Sequence, residues 1–321
     1  MATKYLFSPI VRLVLHTKSK PVEFDYRQDN DETYEIHFNV PFSDSGSPAT
    51  CSAEIMNLSA KHRAMFQPGL KVDLYFGYKL DGVGLLSSGT IRHTSPLTSD
   101  GTNETFSFTF REGEEYADAE SSAQKANDKS NKKLKAAKKA LGKKKAESLY
   151  KVKRHSALSF AKGVNYETII RKVAIDAGIK LKSVKLAKPK VAHKGYTAHG
   201  RPWTIIQKLA KACGSQAFLR RGAVYIDDLS KSKAHKESVL ITDHVKGYLG
   251  GSGLTAYPTT DQLNAQAKHA TWTIVSLLRY QVSTGSLITI KNSYLTGSFR
   301  VKSGEHTFDG SAATTTMEVY V

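Results

Sequence analysis

The stretch Ser52-Ala53-Glu54-Ile55-Met56-Asn57-Leu58 predicts a β-strand, because its apolar residues alternate with polar ones. The segment Phe66-Gln67-Pro68-Gly69 then supplies a turn, since proline fixes φ and glycine accepts a positive φ. Two further strands follow at Val72–Tyr78 and Leu85–Ile91. Residues 52–91 therefore predict two successive hairpin-like units.

The rest of the first 112 residues continues this β pattern. We predict strands at Val11–Leu15, Thr33–Val40 and Thr105–Arg111, and we interpret the N-terminus up to His16 as the first strand. The clearest strand contains Phe106, Phe108 and Phe110, which alternate with Ser and Thr and so share one buried face.

A small α/β segment is predicted after residue 155. Its first helix begins after the N-cap Asn165 and ends at Gly178, and its second begins at Pro202 and ends at Gly214. Between them, residues 195–200 predict a connecting strand. A hairpin then turns at Arg221-Gly222.

Residues 229–321 return to a β pattern. Strands are predicted at Thr271–Val282, Ser286–Lys291, Tyr294–Val301 and Thr314–Val321, and His306 is placed beside a turn. Gly250–Gly253 is interpreted as a flexible loop.

The positive charge of the chain is concentrated in one segment. The net charge is +18 over 321 residues, and residues 125–154 hold thirteen basic residues against only Asp128 and Glu147. We interpret residues 113–154 as a solvated helix or flexible insertion, in which acidic residues at the start and lysines at the end match the helix macrodipole. The alternative is a contact with DNA or with an acidic surface. We predict an acidic-partner contact at Lys132, Lys133, Lys135, Lys138, Lys139, Lys143, Lys144 and Lys145.

Four blocks of this sequence, in order, resemble the baseplate hub proteins of contractile phage tails, the family that includes the late control protein D-like proteins. They are residues 52–91, the helix segments 163–178 and 200–214, the strand Val224-Tyr225-Ile226, and the closing region from Tyr294 to Val321. The Lys-rich segment departs from the family pattern.

The resemblance implies a mainly β fold with an α+β insertion, in which two tail-tube-like β-barrels flank a small α/β middle domain and a Lys-rich helical insertion. The expected division is 1–112 for the first barrel, 113–155 for the charged insertion, 156–228 for the middle domain and 229–321 for the second barrel.

The resemblance also implies a function without catalysis. Such a protein is a structural hub, whose homotrimer adapts the six-fold tail tube to a three-fold spike. Its implied partners are the tail tube or a distal tube-initiator protein, the spike, baseplate wedge proteins and the tape measure protein, with DNA only in transit. The implied place is the tail tip of the virion, assembled in the host cytoplasm. We expect peptidoglycan cleavage to be carried by a separate protein.

No catalytic, metal or cofactor site is predicted. Cys51 and Cys213 lie far apart and are interpreted as unpaired, with Cys213 on the apolar stripe of a helix. His193 and His199 are six residues apart without a third ligand nearby, and the acidic residues from 112 to 120 are expected to be solvated with ordinary acidity. The sequence contains no run of about 18 apolar residues, so we predict no membrane span.

Two other functions stay open at this point. One is a basic nucleic-acid-binding protein acting through the Lys-rich segment, although no aromatic residue lies among the lysines before Tyr150. The other is a cell-wall hydrolase.

Overall fold

A computed structural model of the chain describes residues 6–30, 33–113, 116, 120–141, 157–229, 238–242, 259–260, 271–291 and 295–320. The chain divides into two compact units. The first, here called the β unit, combines residues 1–114 with residues 218–321, and the second, the middle unit, comprises residues 115–217.

Among its described residues, the N-terminal part of the β unit contains eight strands and one short helix. They are β1 (Pro9–His16), β2 (Pro21–Arg27), β3 (Ile36–Ser43), β4 (Thr50–Met56), α1 (Ala60–Arg63), β5 (Lys71–Tyr78), β6 (Gly82–Thr94), β7 (Thr98–Ser99) and β8 (Glu104–Glu112). In β3 and β8 every second side chain is buried, as the alternation of apolar and polar residues dictates.

In the described part of the middle unit, three helices are present. Its elements are α2 (Ser122–Leu141), β9 (Ser159–Phe160), α3 (Tyr166–Ala177), β10 (Leu181–Val184), β11 (Tyr196–Thr197) and α4 (Pro202–Ala212). The predicted caps are confirmed, because the Asn165 side chain accepts from the Thr168 amide at 2.7 Å and Gly178 adopts a φ of 74°. Pro202 occupies the first turn of α4.

The chain returns to the β unit along β12 (Gln216–Arg220), and the remaining strands are β13 (Ala223–Asp227), β14 (Ser238–Thr242), β15 (Thr259–Thr260), β16 (Thr271–Leu277), β17 (Leu287–Lys291), β18 (Thr296–Phe308) and β19 (Ala313–Tyr320). The predicted β12–β13 hairpin is confirmed, and its turn residues Arg221 and Gly222 have φ values of 53° and 80°. Positive φ at both central positions is typical of a type I′ hairpin turn.

One large sheet joins the two ends of the chain. Its strand order is β15-β16-β19-β18-β3-β4-β8-β6-β5-β1-β2, with β17 paired to β18, β14 to β17 and β7 to β8. The joint is the antiparallel pair of β3 and β18, in which residues 303–308 lie opposite residues 38–43. The first and last thirds of the chain therefore form one hydrogen-bonded sheet.

The described residues form two hydrophobic cores in the β unit. The first belongs mainly to residues 11–110, but it also takes Leu278, Phe308 and Ala313 from the C-terminal part. The second, which includes Ile274, Ile288 and Met317, belongs to the C-terminal part and takes Phe42 from β3. Each β region thus has a core of its own, and each core contains residues of the other region.

The mainly β fold with an α+β insertion agrees with the prediction, whereas several local expectations do not. The predicted strand 271–282 ends at Leu277, and β2 and α1 were not among the predicted elements. β1 begins at Pro9, and residues 1–5 lie outside the described residues, as does the predicted loop Gly250–Gly253.

Candidate functional site

The predicted lysine site coincides in part with α2. Lys132, Lys133, Lys135 and Lys139 are exposed on this helix, and Lys138 also lies within its span. Lys143, Lys144 and Lys145 lie outside the described residues. The structure therefore places five of the eight predicted residues on one helix.

Five lysines form a continuous row on α2, which we call the lysine ridge. Successive members are four, three, three and four residues apart, and residues at these spacings share one helical face. All five side chains are exposed: Lys125, Lys129, Lys132, Lys135 and Lys139. At 1.5 Å per residue the ridge is about 21 Å long.

The opposite face of α2 is less accessible. Ala123, Ala126, Asn127 and Ser130 are only half-exposed and lie on the side away from the ridge. The helix therefore has one partly covered face of small residues and one solvated cationic face.

A capping box starts α2. The backbone N–H of Gln124 donates to the Ser121 hydroxyl at 3.2 Å. In return, the side-chain oxygen of Gln124 accepts from the backbone N–H of Ser121 at 2.8 Å. This reciprocal pair satisfies two of the amide groups that a helix start leaves without partners.

The same end of α2 is hydrogen-bonded to other residues of the middle unit. The Ser122 N–H donates to the Asp176 carboxylate at 3.0 Å, and the Ser122 hydroxyl donates to the Asp176 carbonyl at 3.2 Å. The Gln124 side chain donates to the Gly200 carbonyl at 3.3 Å. The first turn of α2 is thus held by residues at the end of α3 and before α4.

Glu112 corrects the expectation of a solvated acidic segment. It is the last residue of β8, not the start of a helix, and it is 5% exposed. Burial raises its pKa to about 7, although hydrogen bonds from the Gly222 and Arg221 amides and the Arg221 charge lower it. Glu114, Glu115 and Asp118 lie outside the described residues.

Glu112 ties together two distant segments of the β unit. Its carboxylate accepts from the Gly222 N–H at 3.3 Å in the β12–β13 turn, and the Arg221 side chain of that turn donates to the Tyr280 carbonyl. Glu112 stands where the chain leaves the β unit, and the turn stands just after it returns. We call this contact the Glu112 clamp.

The loop from Leu278 to Ser286 is another buried polar region. Arg279 lies 3.9 Å from the Asp81 carboxylate, and both side chains are at most 9% exposed. Arg220 donates to the Ser286 hydroxyl at 3.1 Å. The attraction between Arg279 and Asp81 offsets part of the cost of burying their charges.

A Ser, an Asp and a His meet on neighbouring strands of the β unit. Asp73 accepts hydrogen bonds from the Ser88 hydroxyl at 2.5 Å and from the His16 ring at 2.7 Å, and Lys71 lies 3.0 Å away. Burial alone would raise the Asp73 pKa, but these three hydrogen bonds lower it overall. In a nucleophilic triad the serine contacts the histidine, whereas here Ser88 donates to the carboxylate. The arrangement therefore joins three strands.

His306 lies within β18 and not at the predicted turn, and it is 1% exposed. Its Nδ1 lies 2.8 Å from the Thr315 hydroxyl and its Nε2 lies 3.1 Å from the Val282 carbonyl. Burial lowers its pKa to about 3, so the ring is neutral at pH 7: Nε2–H donates to the carbonyl and Nδ1 accepts from Thr315. Both ring nitrogens are thereby used in internal contacts.

Within the described residues, no group of three or more His, Cys, Asp or Glu is placed to hold a metal ion. Cys51 and Cys213 are both buried and unpaired. In the part of the chain that the structure describes, no helix has the length and apolar character needed to cross a membrane.

The fold is similar to that of solved phage tail proteins. A tail protein from Neisseria meningitidis MC58 matches 98% of this chain and 97% of its own length with a TM-score of 0.57 and 10% identity. The 43 kDa tail protein of prophage MuSo2 from Shewanella oneidensis matches 96% of both chains with a TM-score of 0.54 and 11% identity.

A third match comes from a secretion machine. An Escherichia coli component of the type VI secretion system, described as similar to the T4 tail proteins gp27 and gp5, matches 91% of this chain and 75% of its own, with a TM-score of 0.52 and 8% identity. No family model matches this chain, and no curated protein matches it in sequence. The chain thus has the fold of phage tail proteins and of related secretion-system components, as the sequence resemblance implies.

Proposed function

We propose that this protein is a structural hub of a phage tail or of a related contractile injection machine. The observation that carries the proposal is the fold match along the whole chain, which covers the β unit and the middle unit of this protein and 97% of a tail protein. A shared fold does not by itself give a shared function. The two cores joined by one sheet add support, because they provide two β regions per chain.

In this proposal three chains form a ring. Two β regions in each of three chains give six similar regions, which match a six-fold tail tube on one side and a three-fold spike on the other. The strand β2 is one end of the sheet order, and ring closure would cover such an edge. The proposed partners are the tail tube or tube initiator, the spike, wedge proteins and the tape measure protein, at the tail tip of the virion.

The test is the copy number in assembled tails. Purified tails are digested, and peptides of this protein and of the tube subunit are quantified against labelled standards. We expect three copies per tail, with the tube subunit, at six per ring, as the internal control. One or six copies would overturn the trimeric hub.

The role is proposed to be structural and without catalysis. Zymography on bacterial peptidoglycan checks this directly, with lysozyme as the positive control. A cleared band at the mass of this chain would favour the cell-wall hydrolase instead.

A nucleic-acid-binding protein is the second candidate, and the exposed lysine ridge is the observation that favours it. Deleting residues 125–153 distinguishes the two functions. DNA binding should disappear if the chain acts on nucleic acid, whereas the copy number in tails should stay at three if it is a hub.

A further inference from the structure

We propose that the lysine ridge is a docking surface for an acidic α-helix of a different protein. The ridge belongs to the middle unit, so this proposal holds whether or not the β unit forms a trimeric ring.

Hydrogen bonds hold the N-terminal end of α2, where the lysine ridge begins. The Ser121–Gln124 capping box and the contacts of Ser122 with Asp176 define the first turn of α2. The half-exposed residues, among them Ala126 and Ser130, lie opposite the ridge. The cationic face is therefore the one turned to solvent.

The ridge retains a strong positive charge. Asp128 is the acidic residue of α2, and it stands four residues before Lys132, where it neutralises part of one lysine. Four net positive charges remain along about 21 Å. Like charges at these spacings repel one another, so an opposite charge supplied from outside stabilises the helix as well as the contact.

Net charge disfavours a second copy of this chain as the partner. Residues 125–154 contribute eleven of the eighteen net positive charges, so the remainder of the chain is itself basic. A partner with net negative charge has to be another molecule. Charge complementarity of this kind sets both the choice of partner and the rate of association.

The spacing of the lysines favours an acidic helix over nucleic acid. Steps of three and four residues separate the lysine backbone positions by about 4.5–6 Å along the helix axis, and carboxylate residues at the same steps on a second helix have the same axial spacing. α2 carries no arginine for bidentate phosphate binding and no aromatic residue for base stacking.

The experiment uses the full chain and two labelled peptides of equal composition. The patterned peptide carries five Glu at steps of four, three, three and four in an Ala/Gln helix, and the scrambled peptide spreads the same five Glu around all faces. A labelled 20-base-pair DNA duplex is the third probe. Binding is measured by fluorescence anisotropy at low ionic strength, where exposed charges are least screened.

Two variants with the same loss of charge are compared. The ridge variant carries Lys125→Gln, Lys129→Gln, Lys132→Gln, Lys135→Gln and Lys139→Gln. The control variant changes exposed lysines elsewhere in the middle unit: Lys172→Gln, Lys182→Gln, Lys188→Gln, Lys208→Gln and Lys211→Gln. Glutamine keeps the helix propensity, and circular dichroism verifies equal helix content.

We expect the ridge variant to bind the patterned peptide at least tenfold more weakly than the unmodified chain, and the control variant to change less than threefold. The patterned peptide should bind more tightly than both the scrambled peptide and the duplex. Equal losses in the two variants, or equal binding of the two peptides, would overturn the proposal. Tighter, ridge-dependent binding of the duplex would also overturn it and assign the surface to nucleic acid.

Discussion

Phe108 lies at the centre of an aromatic cluster in the first core. Its ring centroid is 5.0 Å from that of Phe66 and 6.2 Å from those of Phe106 and Phe110, and the side chain is 1% exposed. The burial predicted from the alternation of Phe with Ser and Thr is confirmed.

Replacing Phe108 by Ala should lower the free energy of unfolding by about 3–5 kcal/mol, because it leaves a cavity among these rings. Urea denaturation measures the loss. Thr109→Ala, on the other face of the same strand and half-exposed, is the control and should cost much less. Equal stability of the Phe108 variant and the unmodified chain would contradict the packing.

Glu112 should make the free energy of unfolding fall as the pH rises from about 4.5 to 7. Its pKa is about 7 in the folded chain against an ordinary value of 4.5, so the folded state binds the proton more tightly than the unfolded state. The contribution of Glu112 to stability is fully present below about pH 4.5 and is lost as the pH rises towards 7. Each pKa unit corresponds to about 1.4 kcal/mol.

The measurement is the difference between the unfolding free energies of Glu112→Gln and the unmodified chain from pH 4.5 to 7. The difference is needed because His306 acts with the opposite sign: its pKa of about 3 makes stability rise with pH towards 6.5. We expect the unfolding free energy of the Glu112→Gln variant to lack the decrease with pH that Glu112 causes. Glu23→Gln, at an exposed site, should keep this pH dependence. A pH dependence that Glu112→Gln leaves unchanged would contradict the burial of the Glu112 carboxyl group.

Sequence predicts apolar positions better than buried polar ones. The three Phe of β8 carry a local pattern, whereas the burial of Glu112, Arg279 and His306 is created by partners that are distant in sequence. No local pattern marks those partners, so Glu112 was expected to be solvated and His306 to lie at a turn.

Among the secondary-structure elements, α2 has an N-terminal cap whose contribution to helix stability can be measured. Ser121→Ala removes the hydroxyl that accepts from the Gln124 amide and should destabilise the helix start by about 1 kcal/mol. Limited trypsin digestion should then cut faster at Lys125 and Lys129. Ser130→Ala, within the same helix, is the control; because Ala is the better helix former, it should not speed the cleavage. Equal rates in both variants would contradict the role of the cap.

The same digestion tests the expected accessibility of the Lys-rich segment. In the unmodified chain we expect the first cuts between Lys125 and Lys153, because the described lysines of α2 are exposed and like charges weaken a helix. Two stable flanking fragments should remain. First cleavage in another loop would contradict the interpretation of this segment as a solvated insertion.

Helices with clear capping residues are predicted well from sequence. The helices α3 and α4 begin and end near Asn165, Gly178, Pro202 and Gly214, as expected. The strand β2 is absent from the predicted set, although its apolar residues alternate with charged ones in a way typical of an edge strand. The helix α1 has four residues and is too short to show a helical period.

At the scale of the whole molecule, the β unit is made from two separate parts of the chain. The fragments 1–114 and 218–321 should therefore form a soluble complex when they are expressed together, since each completes the core of the other through Phe308 and Phe42. Each fragment alone should aggregate. Co-purification on a tag carried by one fragment measures the complex, and cooperative unfolding of either fragment alone would contradict this prediction.

This pairing could not be read from the sequence. The residues of β3 and β18 that lie opposite each other are separated by 260 residues or more, and periodicity within a segment does not report which distant strand it will join. The composition and order of the segments predict the mainly β class, whereas the register between the first and last thirds is a property of the folded chain.

The β3–β18 pair can form only after a delay during synthesis, because its two strands are far apart in the sequence. A ribosome adds roughly 5–20 residues each second, so β3 leaves it on the order of ten seconds to a minute before the strand that covers its free edge exists. The contiguous middle unit can be completed during that interval. The nascent N-terminal part then carries an open strand edge, the kind of surface that promotes aggregation and engages chaperones, until β18 pairs with β3.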